Sequence, residues 1–219
     1  MITVQQADEI ITANLRAFSS IRLPLEEAFG LVLQEDIAAD RDLPPFDRAT
    51  MDGMAIDFST WQKGHRVFPI QGMQKAGSPV LTLKDKKAGI EVMTGAMLPK
   101  GCDCIVPVED IQMVNGQAQL RLDLTLRRLQ NVHRQASDYK KGTVLLKKGC
   151  TLLPPQIAVA AAVGKADILV TQMPKIAVIG TGDELVAINQ PVEPYQIRQS
   201  NVYAMQSALH LHGYRQVTR

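Results

Sequence analysis

The residues of this chain that are best suited to chemistry are carboxylates set in rigid turns. The first such turn, Pro45–Ala55, carries Asp52 directly before Gly53. Pro44 and Pro45 each fix a φ angle, and an Asp-Gly pair favours a turn with positive φ at the glycine. We therefore predict a loop that holds the Asp52 carboxylate at a bend. A connector turn whose acid only hydrogen-bonds its own backbone is the alternative.

Three further polar turns repeat this arrangement. Thr94 and Gly95 stand between a predicted strand and a proline-glycine turn. Asp138 closes a segment that begins at His133, and Gly180–Leu185 directly follows an apolar run. The last of these turns could cradle phosphate, but it lacks the lysine and the glycine spacing of known phosphate-binding loops. For Thr94, a hydroxyl that bonds only to backbone is the alternative.

Three of these turns resemble signature sequences of the MoeA family, the molybdopterin molybdenumtransferases that include the gephyrin E domain. They are Pro44–Ala55, with Phe-Asp and Met-Asp-Gly, Met93–Ala96, which reads Met-Thr-Gly-Ala, and Thr181–Leu185, which reads Thr-Gly-Asp-Glu-Leu. The resemblance spans nearly the whole chain and keeps the family's order and spacing. The chain departs from it in two places: Met54 replaces a usual tyrosine, and Gln135–Asp138 replaces a run richer in glycine and glutamate.

The resemblance implies that molybdenum from molybdate is inserted into the dithiolene of adenylylated molybdopterin, with Mg²⁺-dependent release of AMP. Tungsten in place of molybdenum is left open. The implied catalytic residues are Asp52, Thr94, Asp138 and Glu184, and the implied Mg²⁺ ligands are Asp52 and Glu184. The implied substrate-binding residues are Gly53, Gly95, His133, Arg134, Thr181, Gly182 and Asp183. Mg²⁺ prefers oxygen ligands to thiolates, so the carboxylates suit it. For Arg134, a structural or solvated turn position is the alternative.

We expect a multidomain fold of mixed α and β structure. Between residues 46 and 138, short strand-like runs alternate with turns, which predicts an all-β region with a hairpin at Asn115–Gly116. The resemblance implies an elongated dimerisation domain (1–44 and 140–172), a barrel-like insert (45–139) and the start of an α/β, MogA-like molybdopterin-binding domain (173–219). It also implies a homodimer whose cleft lies between the insert of one subunit and the third domain of the other.

Two helices can be predicted outside the β region. The first, Thr3–Phe18, begins with a capping box of Thr3 and Gln6, and its apolar positions repeat at helical spacing. Such a stripe should be buried, and the third domain is the surface on which we expect it to pack. The second helix, over Gln156–Val163, is alanine-rich and should also be buried. Two prolines open it, and Gly164 stops it.

The C-terminal segment predicts the opening of a βαβ unit. A strand over Ile176–Ile179 precedes a helix that Ser200 or Asn201 caps and Gly213 ends. Because the sequence stops at the second strand, near Val217, we expect a frayed, unpaired first strand and a fragment of a longer protein. On this interpretation the chain binds molybdopterin weakly and does not turn over. A non-catalytic dimerisation or molybdopterin-holding module is the alternative function.

Composition narrows the choice of partners and compartment. Of the 219 residues, 46% are hydrophobic and 21% charged, which is enough for a substantial core. The 24 basic and 22 acidic residues give a net charge of +2 without a basic cluster, which argues against nucleic acid as a partner. No apolar run reaches the roughly 18 residues of a membrane span, so we expect a cytoplasmic protein. A molybdopterin adenylyltransferase-type protein is the expected partner besides a second copy.

The three cysteines cannot form a disulfide framework. Cys102 and Cys104 are two residues apart in a predicted strand, which should place both thiols on one face and favours packing in a core. A soft-metal site completed by His65 or His133 is the weaker alternative, because two thiols without a second pair are poor evidence for such a site.

Overall fold

The fold is described by a computed structural model for residues 2–15 and 17–219. It has the mixed α and β composition expected from the sequence. The helices are α1 (Val4–Ala13), α2 (Phe58–Gln62), α3 (Pro154–Ala162) and α4 (Ser200–Leu211), with single 3-10 turns at Leu25–Glu27 and Val108–Asp110. The strands are β1 (Ser20–Pro24), β2 (Ile37–Ala38), β3 (Arg48–Ala49), β4 (Gly53–Ile56), β5 (Val67–Gln74), β6 (Gly89–Val92), β7 (Cys104–Pro107), β8 (Ile111–Val114), β9 (Gln117–Leu120), β10 (Val132–His133), β11 (Val144–Leu146), β12 (Asp167–Thr171), β13 (Ile176–Ala177), β14 (Leu185–Val186), β15 (Ile197–Arg198) and β16 (Val217–Thr218). Among the described residues, no helix has both the length and the apolar character needed to cross a membrane.

Two compact units make up the chain. The first, called here the split unit, consists of Met1–Ile37 and Leu145–Arg219. The second, called here the central unit, consists of Ala38–Val144 and carries two of the three signature turns. The division into three domains, with boundaries after residues 44, 139 and 172, remains a prediction.

A six-stranded sheet forms the framework of the central unit. Its strand order is β7-β4-β6-β5-β9-β8, and neighbouring strands run antiparallel except for the parallel pair β5 and β6. β8 and β9 form the predicted hairpin, with Asn115 and Gly116 both at positive φ. The all-β prediction is therefore confirmed in its main feature, although the short helix α2 interrupts it. Closure of the sheet into a barrel remains a prediction.

Apolar side chains cover both faces of this sheet, because successive residues of a strand point to opposite sides. The first-face cluster contains Met54, Ile56, Phe68, Cys104, Val106, Ala118, Leu120 and Leu126. The second-face cluster contains Ala49, Ala55, Val92, Cys102 and Ile105. Burial on both sides makes the sheet a rigid support for the turns at its strand ends.

The two cysteines of the central unit belong to different clusters, so the prediction that their thiols share a face is wrong. Cys104 opens β7 and packs in the first-face cluster. Cys102 lies before the strand, next to the turn residue Gly101, and packs in the second-face cluster. Because Cys102 lies outside β7, the alternation of side chains between the two faces of the sheet does not extend to it. The prediction of core packing is confirmed, since both residues are buried.

We expect neither buried thiol to react in the folded protein. Burial raises the pKa of Cys102 and of Cys104 to about 12, so the reactive thiolate is scarce at neutral pH. An alkylating reagent near pH 7 should leave both unmodified until concentrated urea is added, as peptide mass spectrometry would measure. A Cys150→Ala variant removes the third, half-buried thiol and provides the control. Rapid alkylation of Cys102 or Cys104 without urea would contradict this expectation.

The split unit has a core around the antiparallel pair β1 and β12. Ile168 and Val170 of β12 pack there with Leu152, which lies two residues before α3 begins. α3 begins two residues earlier than predicted, and Gly164, at φ +77°, follows it. Among the residues of α3, all of which the structure describes, only Ala160 is buried. The prediction of a buried helix is thus wrong, because α3 lies at the edge of this core.

α1 differs from its prediction in length and in burial. The capping box is present: the Thr3 N–H donates to Oε1 of Gln6 at 2.9 Å, and the Gln6 N–H donates to Oγ1 of Thr3 at 3.2 Å. The helix ends at Ala13 instead of Phe18, with Asn14 as its C-cap. Since none of its described residues is buried, the expected burial of the apolar stripe is wrong for this structure. Packing on a third domain remains a prediction.

β13, α4 and β16 form the predicted βαβ unit. β13 and β16 are parallel neighbours, with Ile176 opposite Val217, so the expectation of an unpaired first strand is wrong. α4 starts at Ser200, but Gln199 is its N-cap and provides no side-chain bond. The prediction of a Ser200 or Asn201 cap is therefore wrong, whereas Gly213 follows the helix at φ +87° as expected. A MogA-like continuation remains a prediction.

Candidate functional site

Asp52 and Thr94 form a well-defined polar contact in the central unit. Oδ1 of Asp52 accepts the Thr94 backbone N–H at 2.6 Å and the Thr94 hydroxyl at 2.7 Å. The sheet brings the two residues together, because Gly53 pairs with Val92 where β4 begins and β6 ends. Both local alternatives are thereby excluded: the Asp52 carboxylate bonds a distant turn, and the Thr94 hydroxyl bonds a carboxylate.

These two bonds favour the charged form of the Asp52 carboxyl group. The backbone N–H of Thr94, followed by its hydroxyl, holds the pKa of Asp52 below its usual value. Asp52 is exposed, and within the described part of the chain no group donates a hydrogen bond to its second oxygen, Oδ2. One oxygen therefore fixes the carboxylate, and the other is available to a cation or a ligand.

Gly53 supports Asp52 by close packing. It lies in β4 and does not have positive φ, so the predicted Asp-Gly turn geometry is wrong. A Cβ at this position would lie 1.9 Å from the carbonyl oxygen of Val106 on the neighbouring strand β7. Glycine is required here because two strands approach closely. Gly95, beside Thr94, does have positive φ, at +82°.

His133 and Asp138 form a second polar pair in the central unit. Nε2 of His133 lies 2.9 Å from Oδ1 of Asp138, and its Nδ1 lies 3.2 Å from Nη2 of Arg48. Arg48 meets His133 because β3 and β10 pair with these two residues opposite each other. Sequence reasoning missed Arg48, although it follows Asp47 in the first signature turn. The Arg134 side chain is exposed and has no hydrogen bond or ion pair to any described residue.

β3 and the residue that follows it connect both polar pairs through backbone hydrogen bonds. The N–H of Gly95 donates to the carbonyl of Ala49 at 2.8 Å, and the N–H of Thr50 donates to the carbonyl of Asn131 at 3.0 Å. The turns that carry the two pairs are thus attached to one short segment. Three of the four predicted catalytic residues lie in this unit: Asp52, Thr94 and Asp138.

Glu184, the fourth predicted catalytic residue, lies in the split unit. A Cβ on Gly182, whose φ is +146°, would lie 2.6 Å from both carboxylate oxygens of Glu184. Glu184 and Thr181 line a pocket of about 250 Å³ together with Ser200, the first residue of α4. The free backbone N–H groups of a helix N-terminus favour an anion, and α4 has no side-chain cap. Asp183 is exposed in the same loop.

The oxygen ligands of the central unit fit a magnesium site that is completed by substrate phosphates and water. The described residues contain no group of three or more His, Cys, Asp or Glu side chains arranged to hold a metal ion. Mg²⁺ usually keeps several waters and takes one or two carboxylates together with substrate phosphates. Oδ2 of Asp52 fits the role of one such carboxylate oxygen. Glu184 as a second ligand remains a prediction.

Comparison with known protein families decides the family of the chain. The family model described as the MoeA N-terminal region (domain I and II) matches residues 2–164. The chain belongs to the MoeA family. The resemblance found in the signature turns is therefore confirmed. The part matched to the MoeA model includes Asp52, Thr94, His133 and Asp138, whereas Glu184 lies beyond it.

Individual MoeA relatives extend the similarity to nearly the whole chain. A protein of Synechocystis sp. named Molybdopterin molybdenumtransferase is 38% identical over 217 residues, which are 99% of this chain and 56% of the relative. A protein of the same name from Haemophilus influenzae is 32% identical over 95% of this chain and 52% of its own length. The solved structure of a molybdopterin biosynthesis moeA protein from Pyrococcus horikosii matches with a TM-score of 0.81 and 30% identity, over 100% of this chain and 56% of that one. The chain thus spans about half the length of these relatives.

Proposed function

We propose that this MoeA-family chain provides part of a Mg²⁺-dependent molybdenum insertase in molybdenum cofactor biosynthesis. In the proposed reaction, molybdenum from molybdate enters the dithiolene of adenylylated molybdopterin, and AMP is released. Family membership and the name of the relatives support the assignment.

The observation that carries the proposal is the pair of hydrogen bonds from Thr94 to Asp52. They join two signature turns, one at Asp52 and one at Thr94, that are distant in the sequence. A carboxylate fixed through one oxygen and open at the other can bind a hard cation or orient an attacking oxygen. Like any aspartate it is charged near neutral pH, and the Thr94 donors lower its pKa further, so it does not need to lose a proton before it binds a cation.

The proposed magnesium ligands are Asp52 and Glu184, with substrate phosphate oxygens and water completing the shell. When bound, Mg²⁺ supplies neutralisation of the charge that develops as the phosphoanhydride of the substrate breaks. Asp52 provides a preformed anionic oxygen for this purpose. Thr94 keeps that oxygen in position in the free protein, so little ordering is required on binding.

The anionic substrate also needs donors and positive charge. We assign this role to Arg134 in the central unit and to the backbone N–H groups of the loop Thr181–Asp183 in the split unit. His133, whose ring nitrogens face Asp138 and Arg48, is proposed to hold the substrate-binding turn beside Arg134. Asp138 orients His133 through their 2.9 Å contact, and the exposed guanidinium of Arg134 can pair with phosphate or molybdate. Gly95 has open space where a side chain would lie and so allows the substrate to approach the backbone beside Thr94, whereas Gly53 contributes to the pocket lining next to Asp52.

The proposed assembly is a cytoplasmic homodimer, by analogy with the family. In it, a barrel-like insert of one subunit faces the MogA-like third domain of the other. A molybdopterin adenylyltransferase-type partner would supply the adenylylated substrate. The split of the predicted catalytic residues between two units of the chain is consistent with a cleft completed by a second copy.

Molybdenum insertion by a chimera tests the proposed function. The chimera joins residues 1–219 to the part of the Synechocystis relative that follows its aligned segment. We expect it to convert adenylylated molybdopterin and molybdate into molybdenum cofactor and AMP, and to stop when EDTA removes Mg²⁺. Residues 1–219 alone should bind molybdopterin weakly without turnover.

Two outcomes of this assay would count against the proposal. A folded chimera without insertion activity, measured beside an active intact relative, would contradict the assignment of the central unit. Turnover by residues 1–219 alone would contradict the non-catalytic behaviour proposed for the isolated chain. AMP release is measured by chromatography, and cofactor formation by reconstitution of a molybdenum enzyme.

A further inference from the structure

A pocket opens on the first face of the central sheet, next to Asp52. Its volume is about 300 Å³, at the lower end of the range of roughly 300–1,000 Å³ for small-molecule pockets. Asp52 and Gly53 line it at the start of β4. The remaining lining is largely apolar and comes from Met54, Ile70, Met73, Val92, Met93, Val108, Ile111, Met113 and Ala118, with one further carboxylate, Glu91.

Of the two carboxylates that line this pocket, Asp52 has a role in the proposed reaction and Glu91 has none. It pairs with Met54 on β4 and with Met73 on β5, so the three side chains form a row on one face of the sheet. Met54 belongs to the first-face cluster, which assigns Glu91 to the same face. Glu91 is half-buried, and its carboxylate has no hydrogen bond or ion pair to any of residues 2–15 and 17–219.

A half-buried carboxylate that has no donor within the protein can accept hydrogen bonds from a ligand. The flat, polarisable surface of thioethers and aliphatic side chains favours a planar ring. A carboxylate at the edge of such a ring can accept two parallel N–H bonds, and hydrogen bonds to an ionised acceptor are stronger than those between neutral groups. The pocket is therefore suited to a planar heterocycle that carries two adjacent N–H donors on one edge.

We propose that this pocket binds the pterin ring, with the Glu91 carboxylate accepting hydrogen bonds from the 2-amino group and the N3–H of its pyrimidinone edge. This inference rests on the proposed function for the identity of the ring. The position of Asp52 at the margin of the same pocket directs the opposite end of the pterin, which bears the dithiolene and the phosphate, toward the Asp52 and Thr94 contact. Glu91 is then a specificity residue that recognises the ring, and Asp52 acts at the reacting end.

Pterin titration of residues 1–219 tests the proposal, since pterin fluorescence reports binding directly. Lumazine, which carries an oxo group in place of the 2-amino group, is the matched control ligand. We expect Glu91→Gln to weaken pterin binding by about 10- to 100-fold, because the amide presents its own N–H groups to a ligand donor. The wild-type preference for pterin over lumazine should disappear in the same variant. Glu109→Gln, an exposed change in the same unit, should leave pterin affinity unaltered.

The outcomes separate this inference from the proposed function. Absence of pterin binding, an equal affinity of wild type for pterin and lumazine, or an unchanged affinity of Glu91→Gln would each overturn the pterin site. None of these results requires molybdenum insertion, so the activity of the chimera is judged independently. Conversely, Glu91-dependent pterin binding together with an inactive chimera would sustain the pterin site and reject the insertase. Circular dichroism of Glu91→Gln checks that the isosteric change leaves the sheet folded.

Discussion

Replacing Asp52 with asparagine should lower molybdenum insertion by the chimera about 100- to 1,000-fold, the range found when a preorganised electrostatic group is removed from an active site. Asparagine keeps an oxygen that can accept the Thr94 N–H and hydroxyl, so the turn should retain its position. What the variant loses is the negative charge and the second anionic oxygen. The rate of AMP release at saturating Mg²⁺ measures this effect, and the thermal midpoint should change little because Asp52 is exposed.

Asp85→Asn is the matched control for this variant. Asp85 is another exposed aspartate of the central unit, and its Oδ1 also accepts a backbone N–H, from Lys87 at 2.9 Å. We expect insertion by the Asp85 variant to equal that of the unmodified chimera. If Asp52→Asn retained full activity, or if both variants lost the same fraction, the role of the Asp52 charge would be refuted.

The lowered pKa of Asp52 fixes the sign of its pH dependence. The donors on Thr94 stabilise the charged carboxylate in the folded protein, so the folded pKa lies below the unfolded value of about 3.9. The stabilisation is fully present above that unfolded value, and it is lost as the pH falls through the folded pKa. The fold-reduction in insertion rate caused by Asp52→Asn should therefore be the same at every pH of the neutral range, since the carboxylate does not titrate there.

The sequence was sufficient for the positions of the polar turns but not for their pairing. Asp52 and Thr94 could each be selected from a signature turn, whereas their contact depends on the register that sets Gly53 opposite Val92. Register is a long-range property of the sheet, and no local pattern near either residue encodes it. The same limit explains Arg48, which meets His133 only because β3 pairs with β10.

Local rules failed where tertiary packing overrides them. Asp52-Gly53 reads as a turn, but the close approach of β7 to Gly53 requires a glycine in a strand. In the sequence, Glu91 is a single charged residue in an apolar strand, and nothing nearby marks it as part of a site. Only its pairing with Met54 and Met73 places it at a pocket. The register shifts between Ile70 and Gly72 in β5, so the partner of Glu91 on that strand cannot be found by counting residues along the sequence. Capping, by contrast, is local, and the Thr3 capping box was correctly predicted.

Gly53→Ala should destabilise the central unit by about 3 kcal/mol, the upper end of the range for overpacked sites. The added Cβ would lie 1.9 Å from the carbonyl oxygen of Val106 and 2.9 Å from its carbonyl carbon, so backbone has to move. A flexible side chain could rotate away from such a clash, but β7 is held to β4 along four residue pairs. Displacement of β4 moves Asp52 away from Thr94, so insertion by the chimera should fall with stability. Urea unfolding, followed by circular dichroism, measures the change.

Gly72→Ala separates this steric effect from the general consequence of adding a methyl group to a strand glycine. Gly72 lies in β5 of the same sheet without positive φ, and its added Cβ would meet only Cδ1 of Leu81, at 3.7 Å, which is ordinary contact. We expect Gly72→Ala to be neutral or stabilising by up to about 1 kcal/mol, because alanine restricts the unfolded chain. Equal unfolding free energies for the two variants would mean that β7 can yield at Val106. The position of Asp52 would then have to depend on Thr94 alone.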